Sequence, residues 1–224
     1  MKYQNRKYYY NLQLEEIEKI RTTGRKPSLL MHTCCCVCAA YPIINLSETF
    51  DLTLYYCNDN IYPESEYEKR YGELERYVAL INQKYSRNVK LIKCEYHGEE
   101  YTEKLRPLAN EPEGGARCLL CFNMRLNPAM AYAEKNGYDY FTTVMTISRQ
   151  KDSVVLNRIG ENLQGIYPGV RYFFSDFKKD GGLEKSNALV REYDIYRQNY
   201  CGCLFSYQEM LQRVKKEYDE TKAG

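Results

Sequence analysis

The sequence predicts an α/β fold: a parallel sheet of about five strands with helices on both faces. Three observations carry this expectation. Five short runs at 28–31, 51–56, 89–94, 140–144 and 170–174 are apolar or alternate, as strands do. Between most of them lie stretches whose apolar residues recur at helical spacing, and strands alternating with helices build a parallel sheet covered on both sides. Finally, 224 residues with 44% hydrophobic and 28% charged composition suit a compact core. A single domain over 1–224 is expected, with 1–27 as an N-terminal helical extension ahead of a core at 28–224.

Taken in order, Leu12, Leu14, Ile17 and Ile20 give a short amphipathic helix that Gly24 stops. The first strand runs into a helix at about 35–46 carrying Ala39, Ala40, Ile43 and Ile44, with Pro42 near enough to its first turn to be tolerated. After the second strand come a loop at 58–63 and a long charged helix at 64–85, whose inner face holds Tyr67, Tyr71, Leu74, Val78 and Ile81. A helix at 119–135, containing Pro128, separates the third strand from the fourth. A helix at 152–163, the fifth strand and helices near 183–193 and 207–218 complete the pattern. In such a sheet ligands bind at the carboxyl ends of the strands, so chemistry is expected there.

Composition narrows the function. A formal net charge of +2 does not announce a nucleic-acid binder, although a local basic patch is compatible with it. No run approaches the roughly 20 apolar residues of a membrane helix, and the first residues lack the apolar core of a secretion signal. A cytoplasmic protein without a membrane partner is expected. In that reducing compartment 10 cysteines point to metal binding or redox chemistry rather than a disulfide scaffold.

The cysteines fall into three segments. Cys34, Cys35, Cys36 and Cys38 follow the first strand where the chain turns into a helix, a place that favours thiolates. Cys118 and Cys121 have the two-residue gap used by metal-chelating and redox pairs alike, with Arg117 beside them. Cys201 and Cys203 flank Gly202, which lets the backbone wrap tightly around a shared metal or a strained sulfur–sulfur bond. Structural zinc closes with four sulfurs. Cys34, Cys35, Cys38, Cys118, Cys121, Cys201 and Cys203 make seven, so a redox-active iron–sulfur site with a second metal or a dithiol is favoured. The competing reading is a structural zinc site without redox chemistry. Cys57 and Cys94 are read as small packing residues, and His32 and His97 as hydrogen-bonded residues rather than ligands.

Four motifs then make a specific resemblance: Leu-Met-His-Thr-Cys-Cys-Cys-Val-Cys from Leu30, Asn-Asp-Asn-Ile-Tyr-Pro-Glu-Ser-Glu-Tyr from Asn58, Gly-Gly-Ala-Arg-Cys-Leu-Leu-Cys-Phe from Gly114, and Tyr-Arg-Gln-Asn-Tyr-Cys-Gly-Cys-Leu-Phe-Ser from Tyr196. In this order, with Phe141-Thr-Thr, Ser148 and Ser175-Asp-Phe-Lys-Lys between them, the chain resembles the QueH family of cobalamin-independent epoxyqueuosine reductases. The resemblance implies a Rossmann-like sheet of the adenine-nucleotide hydrolase type. It also implies reduction of the epoxide of epoxyqueuosine, carried in a tRNA anticodon, to the alkene of queuosine. By motif, Cys34, Cys35, Cys118 and Cys121 would hold a [4Fe-4S] cluster. Cys201 and Cys203 would be a redox-active dithiol or ligands to an adjacent mononuclear iron, with Cys38 a further ligand to that iron. Cys36 departs from the Ala usual in the family and is read as a small buried side chain.

An electron donor is required. For the tRNA substrate, the candidates are Asn58 and Asn60 on the loop after the second strand, Arg149 and Lys151 after the fourth, and Lys178 and Lys179. Asp59 or Asp176 is a candidate proton source.

Overall fold

In a computed structural model, residues 7–223 are described; positions 1–6 of the expected N-terminal extension lie outside the described residues. The chain forms α1 (Tyr8–Thr22), β1 (Ser28–His32), α2 (Cys36–Leu46), β2 (Asp51–Tyr56), α3 (Glu64–Tyr85), β3 (Lys90–Lys93), α4 (Gly98–Leu105), α5 (Ala116–Lys135), β4 (Tyr140–Thr143), α6 (Ser153–Ile166), β5 (Arg171–Tyr172), α7 (Gly182–Glu192) and α8 (Leu204–Ala223). Short 3-10 turns cover Arg106–Leu108 and Val144–Ile147.

All five strands pair in parallel, in the order β3-β2-β1-β4-β5. Leu30 of β1 registers with Thr53 on one side and Phe141 on the other. Successive strand residues face opposite ways, and the rings of β2 report both coverings. Tyr55 meets Tyr132 of α5, whereas Tyr56 meets Tyr67 and Tyr71 of α3. Helices therefore cover the two faces, and the central strand is dry on both: Leu29, Leu30 and Met31 are fully buried. Each such side chain contributes about 1.5–3 kcal/mol through burial.

α1 seats Ile17 and Ile20 in this core, stacks Tyr9 on Phe174, and accepts the Asp176 N–H at Gln13 Oε1 (3.1 Å). Several boundaries differ from the sequence expectation. α4 forms where no periodic signal stands, because only Tyr101 and Leu105 of its eight residues turn apolar side chains inward. α5 starts at Ala116, which brings Cys118 inside a helix, and it runs unbroken through Pro128. β5 is two residues long, although Phe173 N still donates to Phe141 O at 2.8 Å. α8 begins at Leu204, directly after Cys203.

Candidate metal centre

The strand order reverses between β1 and β4, and the segments leaving their carboxyl ends frame a crevice. Beyond β1 the chain turns at Thr33 and Cys34. Cys35 caps α2 with extended backbone (φ −166°), and Cys38 lies in that helix's first turn. This turn aims three sulfurs at one point: the Sγ atoms of Cys34, Cys35 and Cys38 all lie within 4.8 Å of one another. Among the described residues, no other three His, Cys, Asp or Glu ligand atoms come together in this way. Hydrogen bonds from the Cys35 and Cys38 thiols hold Cys34 well below the usual thiol value despite its burial; the same bonds push Cys35 and Cys38 up.

The second segment is the start of α5. Cys118 Sγ accepts from Gly114 N–H at 3.2 Å, and Cys121 Sγ accepts from the Tyr101 hydroxyl at 3.3 Å. Burial raises both thiols, Cys121 to about 11, and charge on Cys201 and Cys203 adds to the effect. The α5 pair thus stands within electrostatic reach of the third segment.

That third segment is a strap at 193–203, tied down at several points. Arg70 of α3, buried on the apolar face of its helix, donates Nη1 to Cys201 O (3.0 Å) and Nη2 to Tyr200 O (3.4 Å), while Nε pairs with Glu66 (2.8 Å). Tyr62 N donates to Gly202 O at 2.7 Å. Gln198 Nε2 donates to Cys35 Sγ at 3.1 Å, joining the strap to the first sulfur group. Gly202 sits at φ +140°, where a side chain is strained, and a Cβ there would stand 3.2 Å from Arg70 Nη1. Cys203 Sγ accepts from Ser206 N at 3.4 Å, at the start of α8. A cavity of about 390 Å³ opens among these parts, lined by Cys34, Cys35, Cys38 and Cys201 and by residues 148–151 beyond β4.

Residues 29–209 match the family model described as "Epoxyqueuosine reductase QueH". The chain belongs to the QueH family. It is 37% identical to the epoxyqueuosine reductase QueH of Streptococcus pyogenes serotype M1, over 95% of this chain and 85% of that one. With the QueH of Staphylococcus epidermidis the identity is 39%, covering 92% and 87% of the two chains. With that of Acinetobacter baylyi it is 31%, covering 92% and 93%.

In this QueH chain the crevice is positively charged where it is driest. Arg125 lies one helical turn beyond Cys121 and is only 4% exposed. Its Nη2 donates to Asn58 Oδ1 (2.9 Å), its Nε has no partner, and no carboxylate pairs with it among the described residues. Burial opposes its charge, yet nearby charge on Cys34 and Cys121 holds it more firmly protonated than usual. Lys151 behaves alike: burial opposes the charge, but Cys201, Cys34 and Cys38 raise its pKa overall.

The other residues read from the sequence have definite places. Asn58 is fully buried and spans from Arg125 to Thr33 O, to which its Nδ2 donates at 2.8 Å. Asn60 is buried beside Gly202, with Oδ1 unpartnered. Arg149 is exposed and lines the cavity. Lys178 braces the same stretch, donating Nζ to Ser148 O (3.2 Å) and Lys151 O (2.9 Å). Asp176 accepts from Ser153 Oγ at 2.9 Å, and burial raises its carboxyl. Asp59 accepts from His97 N at 3.0 Å. His32 is fully buried with Nδ1 against Thr143 Oγ1 (3.0 Å); burial, then Arg125, pushes it down to about 3, so its ring is neutral. Cys36 is buried.

Arg125, Arg70 and Gln198 escape the sequence reading. Each leaves a trace: Arg125 follows Cys121 at helical spacing, Arg70 interrupts the apolar face between Tyr67 and Leu74, and Gln198 lies inside the last motif.

Proposed function

We propose that this chain reduces the epoxide of epoxyqueuosine in tRNA to the alkene of queuosine, with a [4Fe-4S] cluster held by Cys34, Cys35, Cys118 and Cys121. The observation that carries the reading is a cavity lined by Cys34, Cys35, Cys38 and Cys201, with the buried Arg125 guanidinium close enough to feel the charge of Cys34 and without a carboxylate partner among the described residues. An unpaired buried cation costs several kcal/mol. Thiolates in a metal site offset that cost, so the donor set and its surroundings fit an anionic cluster better than neutral thiols. Family membership and the names of the relatives supply the substrate class.

Removing the epoxide oxygen as water takes two electrons and two protons. When bound, the cluster would supply electrons singly; an adjacent iron, which Cys38, Cys201 and Cys203 would hold, would supply a Lewis acid, and without it Cys201 and Cys203 would serve as a dithiol. The protein's own groups do the rest. Lys151 presents an ammonium to the cavity where negative charge grows on oxygen. The strap, held by Arg70 and Gln198, limits water above the sulfurs. Asn58 fixes Arg125 and the Thr33 carbonyl, and so orients the turn that carries Cys34. Arg149 offers an exposed cation for a phosphate, and Asn60 an amide facing the strap. Lys178 acts indirectly, by fixing the cavity wall. Electrons come from an external donor in the cytoplasm.

The test is anaerobic purification followed by turnover of epoxyqueuosine-containing tRNA with a chemical reductant. A brown, iron- and sulfide-containing protein that forms queuosine is expected. A colourless zinc protein without product would instead identify a zinc-stabilised tRNA-binding module.

A further inference from the structure

Besides the buried Cys36, two cysteines take no part in the proposed metal centre. β2 and β3 end on the registered pair Tyr56 and Lys93, and the ladder continues one step beyond, with Cys94 N donating to Tyr56 O at 3.0 Å. Cys57 and Cys94 are therefore the next rung. Neighbouring strands run about 4.8 Å apart, within the Cα separation of roughly 4.4–6.8 Å that a disulfide accepts. In-register residues of a parallel pair point to the same face of the sheet, so the two thiols lie side by side. Beyond the pair, Asp59 grips His97 N at 3.0 Å, so the two strand ends are held together on the far side as well.

Packing alone does not account for this arrangement. β2 is buried from Leu52 to Tyr56, but Cys57 and Cys94 are both half-buried, at the rim where solvent reaches the sheet's carboxyl edge. Their roles also differ. The neighbouring Cys57 thiol holds the Cys94 thiol below its ordinary value against burial, and the same neighbour, aided by burial, pushes Cys57 up. A thiol with a lowered pKa attacks first; its neighbour resolves.

We propose that Cys57 and Cys94 form a second thiol site, separate from the metal centre: a dithiol that exchanges with disulfides and closes to a cross-strand disulfide. The Cys94 thiolate attacks one sulfur of a small-molecule or protein disulfide, forming a mixed disulfide and releasing one thiolate. Cys57 then gives up its proton and attacks Cys94 Sγ, closing the Cys57–Cys94 bond and releasing the second thiol. Two cysteine thiols lose two electrons and two protons, and the external disulfide becomes two thiols. A dithiol reductant reverses the sequence. The residue after Cys57 is Asn58, the arm that braces Thr33 and Arg125. Closure therefore pulls on the support of the metal centre.

The test is to incubate the anaerobic holoprotein with glutathione disulfide, quench with acid, alkylate the remaining thiols and map the peptides by mass. A Cys57 peptide linked to a Cys94 peptide is expected. Cys57→Ser should instead accumulate one glutathione on Cys94, and Cys94→Ser should take up far less on Cys57. Linkage is read peptide by peptide, so oxidation of the metal-centre cysteines is counted separately. The proposal is overturned if both cysteines remain fully alkylatable while glutathione disulfide is in excess, or if either is found linked only to other cysteines.

Discussion

At the residue scale Arg125 is the fixed charge of the crevice, and its neighbours' charges are not fixed. A guanidinium stays protonated at any working pH, and among the described residues no carboxylate pairs with this one. In a cluster-loaded protein that cation favours the more negative, reduced state, since charge and hydrogen bonding near the sulfurs set the potential. Arg125→Met should move the midpoint potential to more negative values in an EPR-monitored titration, and Arg125→Lys should recover part of the shift. An unchanged potential in a loaded Met variant would refute the role. Asn58→Leu strands both the guanidinium and the Thr33 carbonyl, and should cost about 3 kcal/mol in chemical denaturation. The gathering of Cys34, Cys35 and Cys38 is legible in the sequence because cysteine chemistry is carried by residue type and these three share one turn. Arg125 is not, since an arginine four positions after a cysteine is ordinary on any helix until its burial is known.

Among the elements, the strap at 193–203 has no regular structure to stiffen it and depends on Arg70, Tyr62 and Gln198. Its sharpest bend is at Gly202, where φ is +140°. Gly202→Ala should destabilise the fold by about 1–3 kcal/mol through backbone strain. It should also speed proteolysis within the strap and lower iron retention, measured by limited digestion and metal analysis; unchanged protection would show that the bend is not what seats Cys201 and Cys203. Strands and long helices follow from apolar periodicity, which is why the sheet and α3 are readable without coordinates. α4 and the strap are not, because their positions come from single polar bonds. Tyr101, which reaches Cys121 from α4, is one such case.

At the scale of the whole molecule, a net charge of +2 conceals the distribution that matters. Arg125 and Lys151 are gathered at one crevice, whose rim also carries Glu113 and Glu209, while other carboxylates are spread over the surface in pairs such as Lys84–Glu192 and Arg106–Glu103. Counting charges along the chain could not reveal this, since the crevice exists only once β1 and β4 lie side by side. The sheet itself needs no metal: its centre is closed by Leu29, Leu30, Met31 and Phe141, all fully buried. Chelating the iron from the anaerobic protein should therefore abolish colour and turnover while the helical circular dichroism is largely kept. Loss of cooperative unfolding on chelation would contradict this.

The three sulfur segments also order events in the life of the chain. Cys34, Cys35 and Cys38 leave the ribosome early, Cys118 and Cys121 midway, and Cys201 and Cys203 near the end. On the proposed assignment the four cluster ligands are therefore all made before the strap exists. On that assignment the sheet and α5 suffice to seat the cluster, and the strap is added over it last.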